Sequence, residues 1–539
     1  MERKEIIIRD FSEAGPANMI SDKGEKGKWR IIDWQSSTDA GKLLFAYTDG
    51  APQITIPLVF EGHYAISLGL FSPPVMKTAI KAKLSCEDKF NELKIVQPFK
   101  WIPIEQGSNL FEEHFWKIAD LTGQDLHIAS TSAGSGLAFV RLIPLNDEQI
   151  ELYKNHRIVE WFWTLDGHGH FIHQIDPPTR VITDDLEAMN GSDFTAFSWG
   201  IMGADIVNYR TKVGRQFDTR TEPTIRDIDT AISSNMARLN DVVNPCELAV
   251  KSARENNVKV FISQRPQLWS LEPPNDTFAS DFWKNNRHLA CKTVDGRSLM
   301  QMSFAYPKVR KHLVDVMCEV AECKPDGLHL LFNRGIPSTL YEKPVIDDFA
   351  KEYSKNISEL DPLDPCVVQF RYRYLTAYLM ELRQAVGQHI QIAANCFATK
   401  ALNDRFGLNV RQWAVTGLVD HLMPMRWAWQ TEDDFEMDLF NEIAASAPKC
   451  KLWFYVFNRN VYGHSVMPQE HRQHALELIR SGATGLAGWD VAPDLAGLNL
   501  GHVNELEIWE QISIPISQTD VHTIGGVAID SIGTPHYGA

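Results

Sequence analysis

Several apolar runs beyond residue 156 end near an arginine: Arg210, Arg265, Arg334, Arg426 and Arg459. A planar guanidinium matches the geometry of carboxylate, sulfate and phosphate, so arginines gathered on one rim suit an anionic ligand. The competing use is structural, with some of them pairing with Asp166, Asp205 and Asp490. Trp427, Trp429 and Trp489 stand at the ends of the same set of runs, near Asn208, Asn333, Asn395 and Asn458. Flat aromatics beside amides and carboxylates suit sugar rings, although any one Trp can equally serve packing.

The carboxylates set limits on the chemistry. The runs at 327–335 and 451–460 end in Asn333-Arg334 and Asn458-Arg459, where a barrel glycosidase often has an acid. Two carboxylates roughly 5 Å apart, as retaining glycoside hydrolysis uses, are therefore not evident. Alternation along 158–166 puts Glu160, Phe162, Thr164 and Asp166 on one face, with Glu160 expected deep beneath Asp166. An inverting path needs one group to activate water and another to protonate the leaving oxygen. Asp166 fits one role, and His288, His170 or Asp490 the other.

Histidines offer a second chemistry. His168, His170 and His173 follow Asp166 closely. Two imidazoles one residue apart on an extended segment can bind a metal, with Asp205 or Asp490 completing the site. The motif is short and common, so acid–base or substrate contact is the preferred reading, and neither metal nor cofactor is expected. His288 lies in a long insertion, 267–307, beside Arg287, Lys292, Asp295 and Arg297. Insertions of that length are commonly lids or binding loops. His288 either reaches over the site or stands in solvent.

Something must bring these residues to one rim. From about 156 onward, eight apolar runs alternate with helical stretches: 158–166, 194–205, 259–266, 327–335, 390–397, 419–427, 451–460 and 484–491. Three of the intervening helices begin with proline near the first turn, at Pro307, Pro365 and Pro468, a favoured position. Eight buried strands with helical crossovers describe a (β/α)8 barrel of the TIM type. An open doubly wound sheet would usually carry a Gly-rich phosphate turn after its first strand, but LDGHGHF stands there. Barrels build their sites from the C-terminal ends of their strands. The candidate substrate contacts are therefore Asp205, Asn208, Arg210, Arg265, Arg287, Asn333, Arg334, Asn395, Arg426, Asn458 and Trp489.

Residues 1–150 read differently. Short alternating segments such as QITIPLVF, HYAISLGLF and GLAFVRLIPL are separated by Gly, Pro, Asp and Ser. That pattern predicts an antiparallel β-sandwich. The expected organisation is a sandwich over 1–150, a barrel over 151–511, and a tail over 512–539 holding a short strand or two.

Composition narrows the partners. The 539 residues include 53 Lys plus Arg against 69 Asp plus Glu, a formal charge of −16. A nucleic-acid partner would call for a basic footprint. No apolar run approaches the length of a membrane span. The eight cysteines form no CxxC pair and read as scattered free thiols. The amino terminus offers only a three-residue apolar run, Ile6 to Ile8, so a cytoplasmic location is expected. Oligomerisation is left open, since the sandwich could pack on its own barrel or on a second copy.

Two stretches, SFAYPKVRKHLVDVMCEVAE with PDGLHLLFNRGIP, and NDRFGLNVRQWAVTGLVDHLMP, together with ITIPLVFEGHYAISLGLF and FWKIADLTGQDLHIA, resemble the family-10-like bacterial glycosyl hydrolases. The resemblance spans about residues 50–500. It implies a sandwich followed by a barrel and an activity on glycans. Relatives often carry an Asp in an "HLDF" pattern where this chain has Leu330-Leu331-Phe332-Asn333. A remoter likeness is to the inverting sialidases of glycoside hydrolase family 156. It implies Asp166 and His288 as the catalytic pair, with Arg265, Arg287 and Arg334 on a sugar carboxylate. The resulting expectation is an exo-acting, inverting glycosidase of acidic or sulfated glycans. The alternatives are a glycan-binding barrel without turnover and a metal-dependent hydrolase or lyase using the HGH segment.

Overall fold

The computed structural model describes residues 4–528 apart from 48–49, 72–78, 95–107, 132–133, 156–158, 190–192, 219–226, 271–278, 427–434, 457–467, 490–504 and 513–518. Eight parallel strands close into a barrel. In chain order they are β1 (Glu160–Leu165), β2 (Phe194–Gly200), β3 (Lys259–Gln264), β4 (Gly327–Leu331), β5 (Gln391–Phe397), β6 (His421–Met425), β7 (Lys451–Tyr455) and β8 (Gly485–Trp489). β8 pairs back onto β1, with Thr164 opposite Trp489.

Both faces of these strands are buried, which explains their nearly continuous apolar composition. The inward face packs large residues against small ones. Phe162 lies between Ala196 and Ala487 in register, and Tyr455 lies opposite Ala487. These residues join Phe261, Met423, Trp453 and Trp489 in one interior cluster. The outward face packs against the helices that follow each strand. The longest described helix, Pro365–Val386, starts where its sequence says it should, with Pro at the first turn and the Asp364 carboxylate accepting from Cys366 N.

The amino-terminal region forms a nine-stranded and a four-stranded sheet. They are antiparallel but for one short pairing, Ile20–Ser21 alongside Trp29–Arg30. Ile54, Ile80, Leu126 and Ile128 of the smaller sheet share a buried cluster with Ile66, Leu68 and Val140 of the larger. Strand Thr519–Ile524, from the end of the chain, inserts into the larger sheet between Trp29–Ser36 and Ser108–Asp120. Sheets and barrel are fastened together. Glu505, almost fully buried, accepts from Ile118 N at 2.8 Å, and Tyr153 donates to Ile118 O at 3.1 Å. Phe115, Ile118 and Leu145 pack on Ile508 from the helix that follows β8. No described helix is long and apolar enough to cross a membrane.

Candidate active site

Asp166 is the first residue past β1, and its carboxylate is nearly buried, with 12% of the side chain exposed. One oxygen caps the turn that follows, accepting from His168 N at 2.9 Å and Gly169 N at 3.4 Å. The other meets the guanidinium of Arg265, the first residue past β3. The chain can turn so tightly after Asp166 because Gly167 takes φ +73° against the backbone of Gly200. A Cβ on Gly167 would fall 1.9 Å from Gly200 O.

Asn208 serves this close approach. Its amide donates to Gly167 O at 3.0 Å and to Gly200 O at 2.8 Å, tying the ends of β1 and β2 together. Asn208 is fully buried, so its visible work is structural. Asp205 is likewise turned into the protein. Its Oδ2 accepts from Ser280 Oγ at 2.5 Å and lies 2.9 Å from His312 Nε2. His312 in turn stacks on Phe282, with centroids 3.8 Å apart. Ser, Asp and His meet here with the carboxylate in the middle. His312 meets the carboxylate and Ser280 donates to it, so this is not the order that activates a nucleophile. Instead it anchors the short helix Asp281–Asn285 of the long insertion, which Ser280 caps.

Arg334 lies past β4 with its guanidinium 5.3 Å from the ring centre of Trp489. Trp489 ends β8 and contacts Tyr455 of β7 at 5.9 Å between ring centres. Asn333 is 6% exposed, and Asn395 of β5 is fully buried. The two amides bond each other at 3.2 Å. Arg426, past β6, lies 5.5 Å from the ring centre of Phe435. Asp166, Arg265, Asn333, Arg334, Asn395, Arg426 and Trp489 thus share the C-terminal half of the barrel.

Other expected site residues stand elsewhere. Arg210 is on the outer surface, two-thirds exposed, and pairs with Asp241 at 3.0 Å. Arg287 lies over Trp283 and donates to Leu299 O at 2.6 Å, which braces the insertion. His288 beside it is exposed. His170 Nε2 lies 3.6 Å from Asp185 Oδ2, on the helix between β1 and β2. Glu160 is not deep beneath Asp166. It opens β1 at the opposite mouth and pairs with Lys451 at 2.5 Å, because the whole length of the six-residue strand lies between the two mouths. Asn458, Arg459, Asp490, Trp427 and Trp429 lie outside the described residues. Among the described residues, no group of three His, Cys, Asp or Glu side chains is placed to hold a metal ion.

One feature of the interior went unread in the sequence. His329 of β4 is fully buried, its Nδ1 3.0 Å from Ser198 Oγ and its Nε2 2.6 Å from Asn395 Oδ1. Burial pushes its pKa from 6.5 down to about 3, so the ring stays neutral. Tyr455 also donates to Asn395 Oδ1, at 3.3 Å, and its hydroxyl lies 2.8 Å from Thr164 Oγ1. The available signal was polar residues at inward positions of apolar strands: Thr164, Ser198, His329 and Asn395.

No family model matches the sequence, and neither does any curated protein. Among solved structures, α-L-fucosidase isoenzyme 2 from Paenibacillus thiaminolyticus is similar at 14% identity with a TM-score of 0.39. That match covers 66% of this chain and 49% of the fucosidase, so this chain spans about half of it. TtGalA, an alpha-galactosidase from Thermus thermophilus, is similar at 10% identity and a TM-score of 0.33, over 93% of this chain and 98% of that one. The glycoside hydrolase domain of PelA from Pseudomonas aeruginosa gives 12% and 0.32, over 64% and 98%. No site residue and no activity is carried over from these likenesses.

Proposed function

We propose that the chain is a glycoside hydrolase acting on glycans that carry an acidic or sulfated sugar, by an exo-acting, inverting route. The observation that carries this reading is the pairing of functions across one barrel mouth. A carboxylate, Asp166, is held by Arg265, and a cation, Arg334, lies against an aromatic face, Trp489, on the strand next to the one Asp166 follows. In contact with a guanidinium, Asp166 fits the base that activates water. Arg265 then orients that base, and Arg334 meets the anionic group while Trp489 offers a sugar face. His170 has its Nε2 toward Asp185 and His288 is exposed on the insertion, which leaves Asp490 as the preferred proton donor.

The test is a release assay on neutral, sialylated, uronic and sulfated glycans, read by mass spectrometry, with wild type beside Asp166→Asn. Release of an acidic monosaccharide by wild type alone is the expected result. One observation favours a second reading, a glycan-binding barrel without turnover: Asp205, a carboxylate in the segment after β2, is committed to Ser280 and His312. Saturable glycan binding with no product across the panel would select that reading.

A further inference from the structure

We propose that Asn333 is the specificity-determining donor of the barrel mouth, its Nδ2–H aimed at a sugar oxygen by a one-way hydrogen-bond chain from Ser198 through His329 and Asn395. This rests on reading the mouth as a glycan site and adds to it a named contact and the residues that orient it.

The direction of the chain follows from its end. Asn333 Nδ2 lies 3.0 Å from the thioether of Met425. A thioether accepts and cannot donate, so the NH2 of Asn333 must be the group on that side. Asn333 Oδ1 therefore faces Asn395, and Asn395 donates to it through Nδ2. That leaves Asn395 Oδ1 to accept from both His329 Nε2 and Tyr455 OH. Two donors converging on one oxygen resist a flip of the amide. His329 then carries its proton on Nε2, and Nδ1 accepts from Ser198. Every link points the same way, toward the mouth.

The chain ends on a poor acceptor. Buried donors normally find a strong partner, and thioether sulfur is a weak one. Asn333 keeps 6% of its surface exposed. It immediately precedes Arg334, which lies over Trp489. A sugar seated on that aromatic face with its anionic group on Arg334 would bring a hydroxyl, ring or carboxylate oxygen to Nδ2. Asn333 is thus the contact, and His329 and Asn395 are positioning residues.

The experiment uses full-length protein with 15N in its asparagine side chains, titrated with glucuronic acid, N-acetylneuraminic acid and glucose. The Asn333 amide signal is assigned by its loss in Asn333→Asp. In wild type it should shift with the bound sugar. Asn333→Asp keeps an oxygen for Asn395 but removes the outward donor, so affinity should fall about tenfold or more with an unchanged fold. Asn395→Asp can accept from His329 but cannot donate. It should turn the Asn333 amide inward and give the same loss, with no further loss in the double variant. An Asn333 signal unmoved by all three sugars overturns the proposal, as does Asn333→Asp binding like wild type, whether or not Asn395→Asp folds. A shift with glucose and not with the acids keeps the donor assignment and sinks the acidic-substrate reading.

Discussion

Arg265 and Asp166 join the ends of β3 and β1 across β2, with 10% and 12% of their side chains exposed. A pair so little solvated is worth most when intact, because removing one partner strands the other. Asp166→Asn should therefore act twice. Turnover on any glycan substrate should drop by roughly 10² to 10⁴, the usual worth of a general acid–base group. Stability should fall by about 3 kcal/mol, while the Asn side chain still caps the turn at His168 and Gly169. Steady-state kinetics beside a denaturant melt would check both. Near-normal turnover in a folded variant would remove Asp166 from the mechanism.

Arg334 is predicted to act on binding more than on chemistry. Its guanidinium lies over the indole of Trp489, while that of Arg265 meets the Asp166 carboxylate. Arg334→Met retains a long apolar stem over the indole and deletes the charge. The expected outcome is a KM raised about tenfold for an anionic glycan, a nearly unchanged kcat, and a KM that no longer responds to salt. A neutral substrate should show no difference between the two proteins. Equal losses on charged and neutral substrates would point to a packing role.

Arg210 makes the opposite prediction. The sequence places it in the rim set, yet its charge is spent on Asp241 in an exposed pair. Exposed pairs contribute little. Arg210→Ala should leave KM and kcat unaltered and the melting temperature within a degree or two. A changed KM would show that the surface around the helix Asp227–Val242 takes part in binding.

These contrasts show what the sequence could convey. All eight barrel strands were legible, because each is a short apolar run bounded by turn residues and followed by a helix. Which strand-end residues face the mouth was less so. Asp205 and Asp166 look alike in sequence, but Asp205 is captured by Ser280 and His312, from segments about 75 and 107 positions away. Arg265 and Arg210 look alike too, and only closure of the barrel decides which meets Asp166. The interior chain was hidden for a different reason. Thr164, Ser198, His329 and Asn395 are single polar residues within apolar runs, and their meaning appears only when register sets them side by side.

Two buried imidazoles make acid stability the last prediction. His329 and His421 are held neutral by burial, with pKa values pushed from 6.5 to about 3 and about 4. His421 accepts from Trp453 Nε1 at 3.0 Å, so protonating it also breaks that bond. Well above pH 6.5 both rings are neutral folded or unfolded, and they contribute no pH dependence. As pH falls below 6.5 the unfolded chain takes up protons that the folded chain refuses, so stability drops. The loss accumulates until the folded rings themselves titrate, near pH 4 for His421 and pH 3 for His329. For His421 alone it is on the order of 3 kcal/mol. Guanidinium melts at pH 7, 5.5 and 4.5 should show the wild-type midpoint falling, and His421→Gln should fall less steeply from a lower starting point. Parallel midpoints in the two proteins would mean that carboxylates, not this imidazole, set the acid limit.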